Sequence, residues 1–509
     1  MATRKRASKT AAKTASKTAS KTASKAASKP PSDYRVRIRM YRQGLGDCFL
    51  LSFRAAKGKH RHMLIDCGVV LGTTEPRGAM EKIAKNIVEE TKPGLDLLVI
   101  THEHWDHLSG FDSSQAKKVF ENLKVDSFWL AWTEDDQNDL ANEMRRDREK
   151  KRKAAEKAKE ELRRRGGDAH EKQAARMDEV LGLFGVQGGG SADGEDDAGG
   201  TAGALAYLKG KCDPTILETG GTVTIPGVED VRVYVVGPPM DATRLRQTNP
   251  YKGEGYGLGD VTLSLSDSFL AAFDPADELA QPFPKQVRRP LPTTSPSADP
   301  VLPQMTGYLD PKQDWRNIDD AWLATGERLA LQLDNSTNNT SLVLAIELGG
   351  KDVLLFVGDA QAGNWRSWES NKWEVDDGKG GKKQVTMEDL LKRTIFYKVG
   401  HHGSHNATLR EKGLELMKSD RLAAVIPVDT HVAHNVKGWK HMPLPEIRDR
   451  LLEKCTILFQ SDMEPEESGR GKAGPWLHSA DQFEVRMKDK KTKKAKTVGM
   501  RNLYTDYFV

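Results

Sequence analysis

From Tyr34 onward the apolar and polar positions fall into short, regular runs. YRVRIRMY alternates with period two, DCFLLSF follows the glycines at 44 and 46, and HMLIDCG closes a third apolar stretch, so three strands are predicted. A helical spacing over residues 80–90 comes next. It leads into LDLLVITHEHWDH, an unbroken apolar strand that runs straight into histidines. Strand, helix and strand with polar residues at the strand exit predict an α/β fold. Residues 134–183, including EMRRDREKKRKAAEKAKEELRRR, carry charge on all faces and few apolar positions. They predict a solvated helix or helical pair inserted into the domain, closed by the Gly-rich linker GGGSADGEDDAGG, with a partner-binding arm as the equal alternative. Strand spacing returns at 222–239 and lapses through the Pro-rich QPFPKQVRRPLPTTSPSADP. It resumes at 338–360, 394–404 and 422–429, followed by a helix over 444–453, further strands and the basic KDKKTKKAK as a hairpin tip.

Length and charge refine this layout. A chain of 509 residues exceeds one ordinary core, and 30% charged against 37% hydrophobic residues places part of it in solvated segments. Residues 1–32 hold nine Lys or Arg and no acid, which leaves 69 basic against 73 acidic residues elsewhere. The positive field therefore sits on one arm. Lys9, Lys13, Lys17, Lys21, Lys25 and Lys29 repeat with period four in a segment with nothing to bury. Such a tail binds nucleic acid by neutralising phosphates, or it is a solubilising tail or a transit peptide. No run of about 18 apolar residues occurs, and no apolar signal segment opens the sequence, so a cytoplasmic location is expected. Cys48, Cys67, Cys212 and Cys455 lack CxxC spacing and are expected to be reduced thiols.

The candidate chemistry lies in THEHWDH. His102 and His104 can address one metal from an extended turn, while Asp106 and His107 can serve a second beside it. Imidazole with carboxylate suits zinc, with manganese or iron as alternatives.

This segment resembles the HxHxDH signature of the metallo-β-lactamase superfamily, and other segments support the likeness in order. LIDCG, with Asp66, resembles the aspartate that orients the ligand loop from behind. The aspartate of VLLFVGDA, Asp359, resembles the carboxylate that both metals share. KVGHHGS, with His401 and His402, resembles the segment that supplies the last histidine, and either of the two could be the ligand. Together with GLGDCFLL and NNTSLVLAIELGG, these runs are most similar to the ComEC-like hydrolases. The match covers about residues 30–133 and 205–436 in segments. One element departs: many members carry a further histidine before the shared aspartate, where this chain has Tyr234 to Pro239, and its only histidine from 108 to 358 is His170.

The resemblance implies a four-layer αββα metallo-β-lactamase fold. Its first half would span 33–133, with a charged insertion and linker at 134–204, more core at 205–245 and a Pro-rich insertion at 246–330. The second half would span 331–436, leaving a C-terminal helix and strands at 437–509. It also implies two divalent metal ions that activate a bound hydroxide. Three residues are expected to act in catalysis. Asp106 orients the hydroxide, Asp66 steadies the loop, and His405 either protonates a leaving group or is a solvent-facing loop residue. Asn338 and Asn339 read as turn formers, Asp47 as a turn residue or a contact of the ligand loop, His431 and His434 as structural, and Cys67 as a small buried apolar residue. The expected activity is that of a phosphodiesterase or nuclease acting on nucleic acid or a nucleotide. The alternatives are hydrolysis of a small ester or phosphodiester, or a binding subunit with a vestigial site whose charged insertion meets a protein partner.

Overall fold

Alternation along the strands gives the chain two eight-stranded sheets. A computed structural model describes residues 29–185, 200–256, 330, 333–378, 380–489, 492 and 494–509. The first sheet runs in the order β17 (Trp476–His478), β20 (Tyr504–Phe508), β1 (Val36–Tyr41), β2 (Cys48–Arg54), β3 (His60–Cys67), β4 (Leu97–Val99), β5 (Phe128–Ala131) and β6 (Pro214–Leu217). β3 to β6 are mutually parallel. The second sheet runs β16 (Glu466–Glu467), β15 (Ile457–Gln460), β14 (Ala423–Ile426), β13 (Thr394–Lys398), β10 (Asp352–Phe356), β9 (Val343–Leu348), β8 (Val231–Gly237) and β7 (Thr222–Val223). Here β10, β13, β14 and β15 are parallel. Parallel strands release their C-terminal ends on one edge, and that edge is where polar side chains can gather.

One face of each sheet is buried against the other. Phe49, Phe53, Met63 and Val99 of the first sheet share a cluster with Val233, Leu344, Ile346 and Phe356 of the second, and the rings of Phe49 and Phe356 meet edge-on at 5.6 Å. The alternate residues point the other way. Leu50, Leu64 and Leu98 pack under α1 (Arg77–Glu90), whose Met80, Ile83, Ala84 and Ile87 recur at helical spacing. On the second sheet Tyr234, Leu355 and Tyr397 pack against Trp365, Leu390 and Leu451 of three helices, Ala362–Ser367, Met387–Lys392 and Pro445–Lys454. The architecture is therefore mixed α/β, as the alternation predicts. No helix of the described residues is long and apolar enough to cross a membrane.

One expectation needs correction. The charged insertion forms a helical pair, α4 (Asp139–Arg165) and α5 (Asp168–Leu181), following the short α2 (Trp105–Leu108) and α3 (Lys117–Phe120). It is not charged on all faces, however. Ala154, Ala155, Ala158 and Leu162 face Ala174, Met177, Val180 and Leu181, and alanines in the seam let the two helices approach. In the C-terminal region β15 and β16 extend the second sheet while β17 and β20 extend the first. Arg39 of β1 holds Asp506 of β20 through two bonds of 2.7 and 2.9 Å in a buried pair, so the last strand is built into the core. The basic stretch near 488–496 does join β18 (Gln482–Lys488) to β19 (Ala495–Asn502) as a hairpin. Of the tail lysines only Lys29 is described, and it is exposed; Lys9, Lys13, Lys17, Lys21 and Lys25 lie outside the described residues, as do 186–199 of the linker and 257–329 of the Pro-rich insertion.

Candidate metal centre

The ends of β3, β4, β10, β13 and β14 converge on one buried polar cluster. The peptide between Asp106 and His107 lies so close to the β2 and β3 turns that a side-chain carbon on Gly68 would stand 2.3 Å from the Asp106 carbonyl carbon. Gly46, at φ +143°, leaves the same room from the other side, and the Asp47 N–H donates to the Asp106 carbonyl at 3.0 Å. Glycine at these two positions is thus a condition for seating the histidine loop.

Asp66 fixes that loop. Sitting at the left-handed φ of +56°, it accepts from the Thr101 N–H at 2.8 Å and from the Thr101 hydroxyl at 2.7 Å. Its second oxygen lies 2.8 Å from His107 Nδ1. When the ring is neutral, this contact makes Nδ1 the protonated nitrogen and leaves the Nε2 lone pair for a ligand. His402 is oriented in the same way, because its Nδ1 donates to the Pro427 carbonyl at 2.9 Å.

The two halves of the sequence then meet. His402 Nε2 lies 2.9 Å from Asp106 Oδ2 and 3.5 Å from Asp359 Oδ2, while His107 Nε2 lies 3.3 Å from Asp359 Oδ2. His102 Nε2 is 3.1 Å from His104 Nδ1, and His104 Nε2 faces Asp334 at 3.8 Å. Asp47, His107, Asp359 and His402, all buried, each offer one ligand atom, and these atoms lie within 4.8 Å of one another.

Geometry also separates His401 from His402. Both hold left-handed backbone, φ +44° and +52°, a strain that over-determined sites tolerate. This backbone turns His402 into the cluster, whereas the His401 ring faces Ser404 Oγ at 2.9 Å and Gln361 Nε2 at 3.3 Å. The His401 backbone N–H nevertheless donates to Asp359 Oδ1 at 3.1 Å. His405, three residues beyond His402, is half-buried with its carbonyl toward Gly255.

Some participants carry no motif. Lys398, the last residue of β13, is buried with its ammonium 2.5 Å from Asp47, 3.2 Å from Asp359 and 2.7 Å from the Gly358 carbonyl. Asp334 precedes Asn338 and Asn339, which are fully buried rather than simple turn formers. Asn339 donates to the Gln247 carbonyl at 2.8 Å and accepts from the Gln361 N–H at 3.0 Å, bracing the strand exit. A carboxylate without flanking ligand spacing, such as Asp334, gives no sequence signal. Asp47 could have been raised from a turn residue by its position, immediately before a buried strand and after two glycines. His434 donates to, or lies beside, the Met442 carbonyl at 3.0 Å and His431 lies 3.2 Å from Asn435, in keeping with structural roles. Cys67 is fully buried.

The electrostatics are those of a site short of positive charge. Five carboxyls gather here, those of Asp47, Asp66, Asp106, Asp334 and Asp359; the Lys398 ammonium lies against Asp47 and Asp359, and that of Lys437 acts on Asp106 and Asp334. Burial disfavours charge on His107, but Asp359, Asp47, Asp66 and Asp106 outweigh it and raise that imidazole well above the ordinary histidine range. His402 is raised in the same way by Asp359 and Asp106 against its burial. Burial and the nearby Asp106 and Asp359 push Asp334 up to about 8. Burial also pushes Asp47 up to about 6 despite Lys398 and His107, whereas it takes His104 down to about 3, helped by His107. Four buried ligand-type atoms, Asp47 Oδ1, His104 Nε2, Asp106 Oδ1 and His107 Nε2, make no hydrogen bond. Buried polar atoms are normally paired, so oxygen and imidazole donors left unpaired around excess negative charge fit a divalent cation.

Compared with protein-family models and with curated proteins, the chain matches none.

Proposed function

We propose that the chain is a metal-dependent hydrolase of the metallo-β-lactamase fold, similar to the ComEC-like enzymes, that cleaves phosphodiesters and acts as a nuclease. One observation carries the reading. Asp359 and His402, from the second half of the sequence, close on Asp106 and His107 from the first, with Asp106 Oδ1 and His107 Nε2 left free of hydrogen bonds. Helices on the outer faces of both sheets support the αββα arrangement. The Lys-rich tail supports a polyanionic substrate.

Two divalent ions are proposed, zinc first, with manganese or iron as alternatives; such ions, when bound, supply electrophilic charge and acidify water. Asp106, His107, Asp359 and His402 would hold one position, with Asp359 reaching toward a second formed by His102 and His104. Asp334 stands where the missing superfamily histidine leaves that second position short of a ligand. Asp66 is a positioning residue acting through His107. Lys398 fixes the carboxylates of Asp47 and Asp359 relative to one another.

The test is a substrate panel on purified protein, namely plasmid, single-stranded DNA and a chromogenic phosphodiester, each with manganese, zinc or chelator. Cleavage should require added metal and disappear, together with bound metal, in His107→Ala/His402→Ala. Cleavage of phosphodiesters that is absent with every metal, or indifferent to this double variant, overturns the proposal. Hydrolysis confined to the small chromogenic ester would point instead to a closed small-molecule site.

A further inference from the structure

Beside the metal centre, α4 forms one wall of a cavity of about 640 Å³, within the range of cavities that enclose small ligands. Its lining contains six cationic side chains and two acidic ones. Of the acids, Asp147 is already paired with Lys151 at 2.6 Å. Arg146 and Lys150 of α4 and Arg246 opposite are exposed and make no ion pair among the described residues. Arg148 is different. Its side chain is 11% exposed, both terminal guanidinium nitrogens lack a hydrogen bond, and its closest acids stand at 3.5 and 3.7 Å. These nitrogens are closed off from solvent and face Glu103 and Glu134, so Arg148 adds positive field to the cavity wall rather than an open donor.

The same cavity displays an aromatic ring. Tyr251 is 59% exposed, yet one ring face is backed by the Arg366 guanidinium at 3.6 Å from its centroid. Arg366 is itself buried and held by Glu254 at 2.5 and 3.0 Å and by the Asn249 carbonyl at 3.1 Å. The ring is therefore fixed in place, cationic behind and open in front. Cations that track a phosphate chain beside an aromatic platform are the recognition chemistry of unpaired nucleotides, because every base has a face that can stack and a duplex hides it.

The cavity also adjoins the metal centre. Asn335 and Ser336 line it, and Asp334 before them faces His104 at 3.8 Å. Arg148 reaches Glu103, which lies between His102 and His104.

We propose that this cavity is a subsite for single-stranded nucleic acid, with a base stacked on Tyr251 and neighbouring phosphates held by Arg146, Lys150 and Arg246. Its link to cleavage rests on the phosphodiesterase reading, while binding can be measured without it.

The test uses the full chain in chelator and fluorescence anisotropy of labelled twelve-nucleotide dT and rU strands, a duplex of the same length and poly-glutamate. Both single strands should bind more tightly than the duplex or the acidic peptide, and any difference between dT and rU identifies the preferred sugar. Tyr251→Ala should weaken single-strand binding about tenfold and Tyr251→Phe should restore it. Arg146→Glu/Lys150→Glu/Arg246→Glu should weaken it further and lower the slope of log affinity against log salt by about two. The N-terminal tail is common to all variants and cancels in the comparison, and these exposed positions should leave the thermal transition in place. Tyr251→Ala within twofold of the parent on both single strands, or an equal Tyr251→Ala loss on duplex or poly-glutamate, overturns the subsite. Loss of catalysis with Tyr251-dependent binding intact overturns only the proposed activity; catalysis with Tyr251-independent binding overturns only the subsite.

Discussion

The paired sheets and the inserted helices α4 and α5 answer two different physical demands. Strand residues such as Phe49 and Phe356 are enclosed on both sides, and the polar atoms at the strand ends inherit that rigidity, which lets Asp106 and His402 sit at 2.9 Å. The helical pair closes a separate small cluster, mostly alanine, and is laced with exposed ion pairs such as Glu161 with Arg164 and Arg165. The sheets thus hold a donor set on packed strand ends, whereas the insertion carries its charge on exposed side chains.

The largest expected effect separates the two regions directly. Phe356→Ala should cost about 3–5 kcal/mol of global stability in urea unfolding. Leu162→Ala should instead abolish amide-exchange protection over α4 and α5 while moving the main transition by under about 1 kcal/mol; a comparable shift in the main transition would show that the insertion is part of the core. Next, Asp66→Asn keeps the left-handed backbone but weakens the hold on His107. Competition with a chromophoric chelator should show metal affinity falling about 10- to 100-fold, and an unchanged affinity would remove Asp66 from the site.

A smaller effect follows pH. Burial, with help from Arg37, lowers His62 to about 4 from an ordinary 6.5. The folded state therefore binds this proton less readily than the unfolded chain. The contribution is present above pH 6.5 and is lost as pH falls from 6.5 through 4. Partial solvent access reduces it to about 1–2 kcal/mol. His62→Gln should flatten the stability profile over that window, and a profile identical to the parent's would refute the assignment. Smallest of all, Glu161→Gln on the insertion should change stability by less than about 0.5 kcal/mol, as exposed helical ion pairs do. A cost above about 1 kcal/mol, read from the exchange protection of α4, would mean that these pairs are far stronger than their exposure allows.

Much of the centre was legible because its residues sit where a buried strand ends, so hydrophobic runs announced LLVITHEHWDH and VLLFVGDA before any coordinates. Choosing His402 over His401 required the left-handed turn, which no propensity foretells. Lys398 escaped notice because a lysine closing an apolar strand looks like a surface residue until Asp47 and Asp359 are found around it. Asp334 escaped because its partner, His104, lies some 230 positions away. The insertion was recognisable as helical from its charges, but alanine counts for little in a polarity pattern, and so its seam stayed hidden.

Arg39 and Asp506 are 467 positions apart, and that separation has a consequence for biosynthesis. β1 leaves the ribosome well before its neighbour β20. Until β20 emerges, one side of β1 therefore waits with unsatisfied backbone groups. Arg37 and Arg39, alternating with its apolar residues, put like charge on that waiting ribbon, a deterrent to pairing with nascent chains on neighbouring ribosomes until β20 arrives.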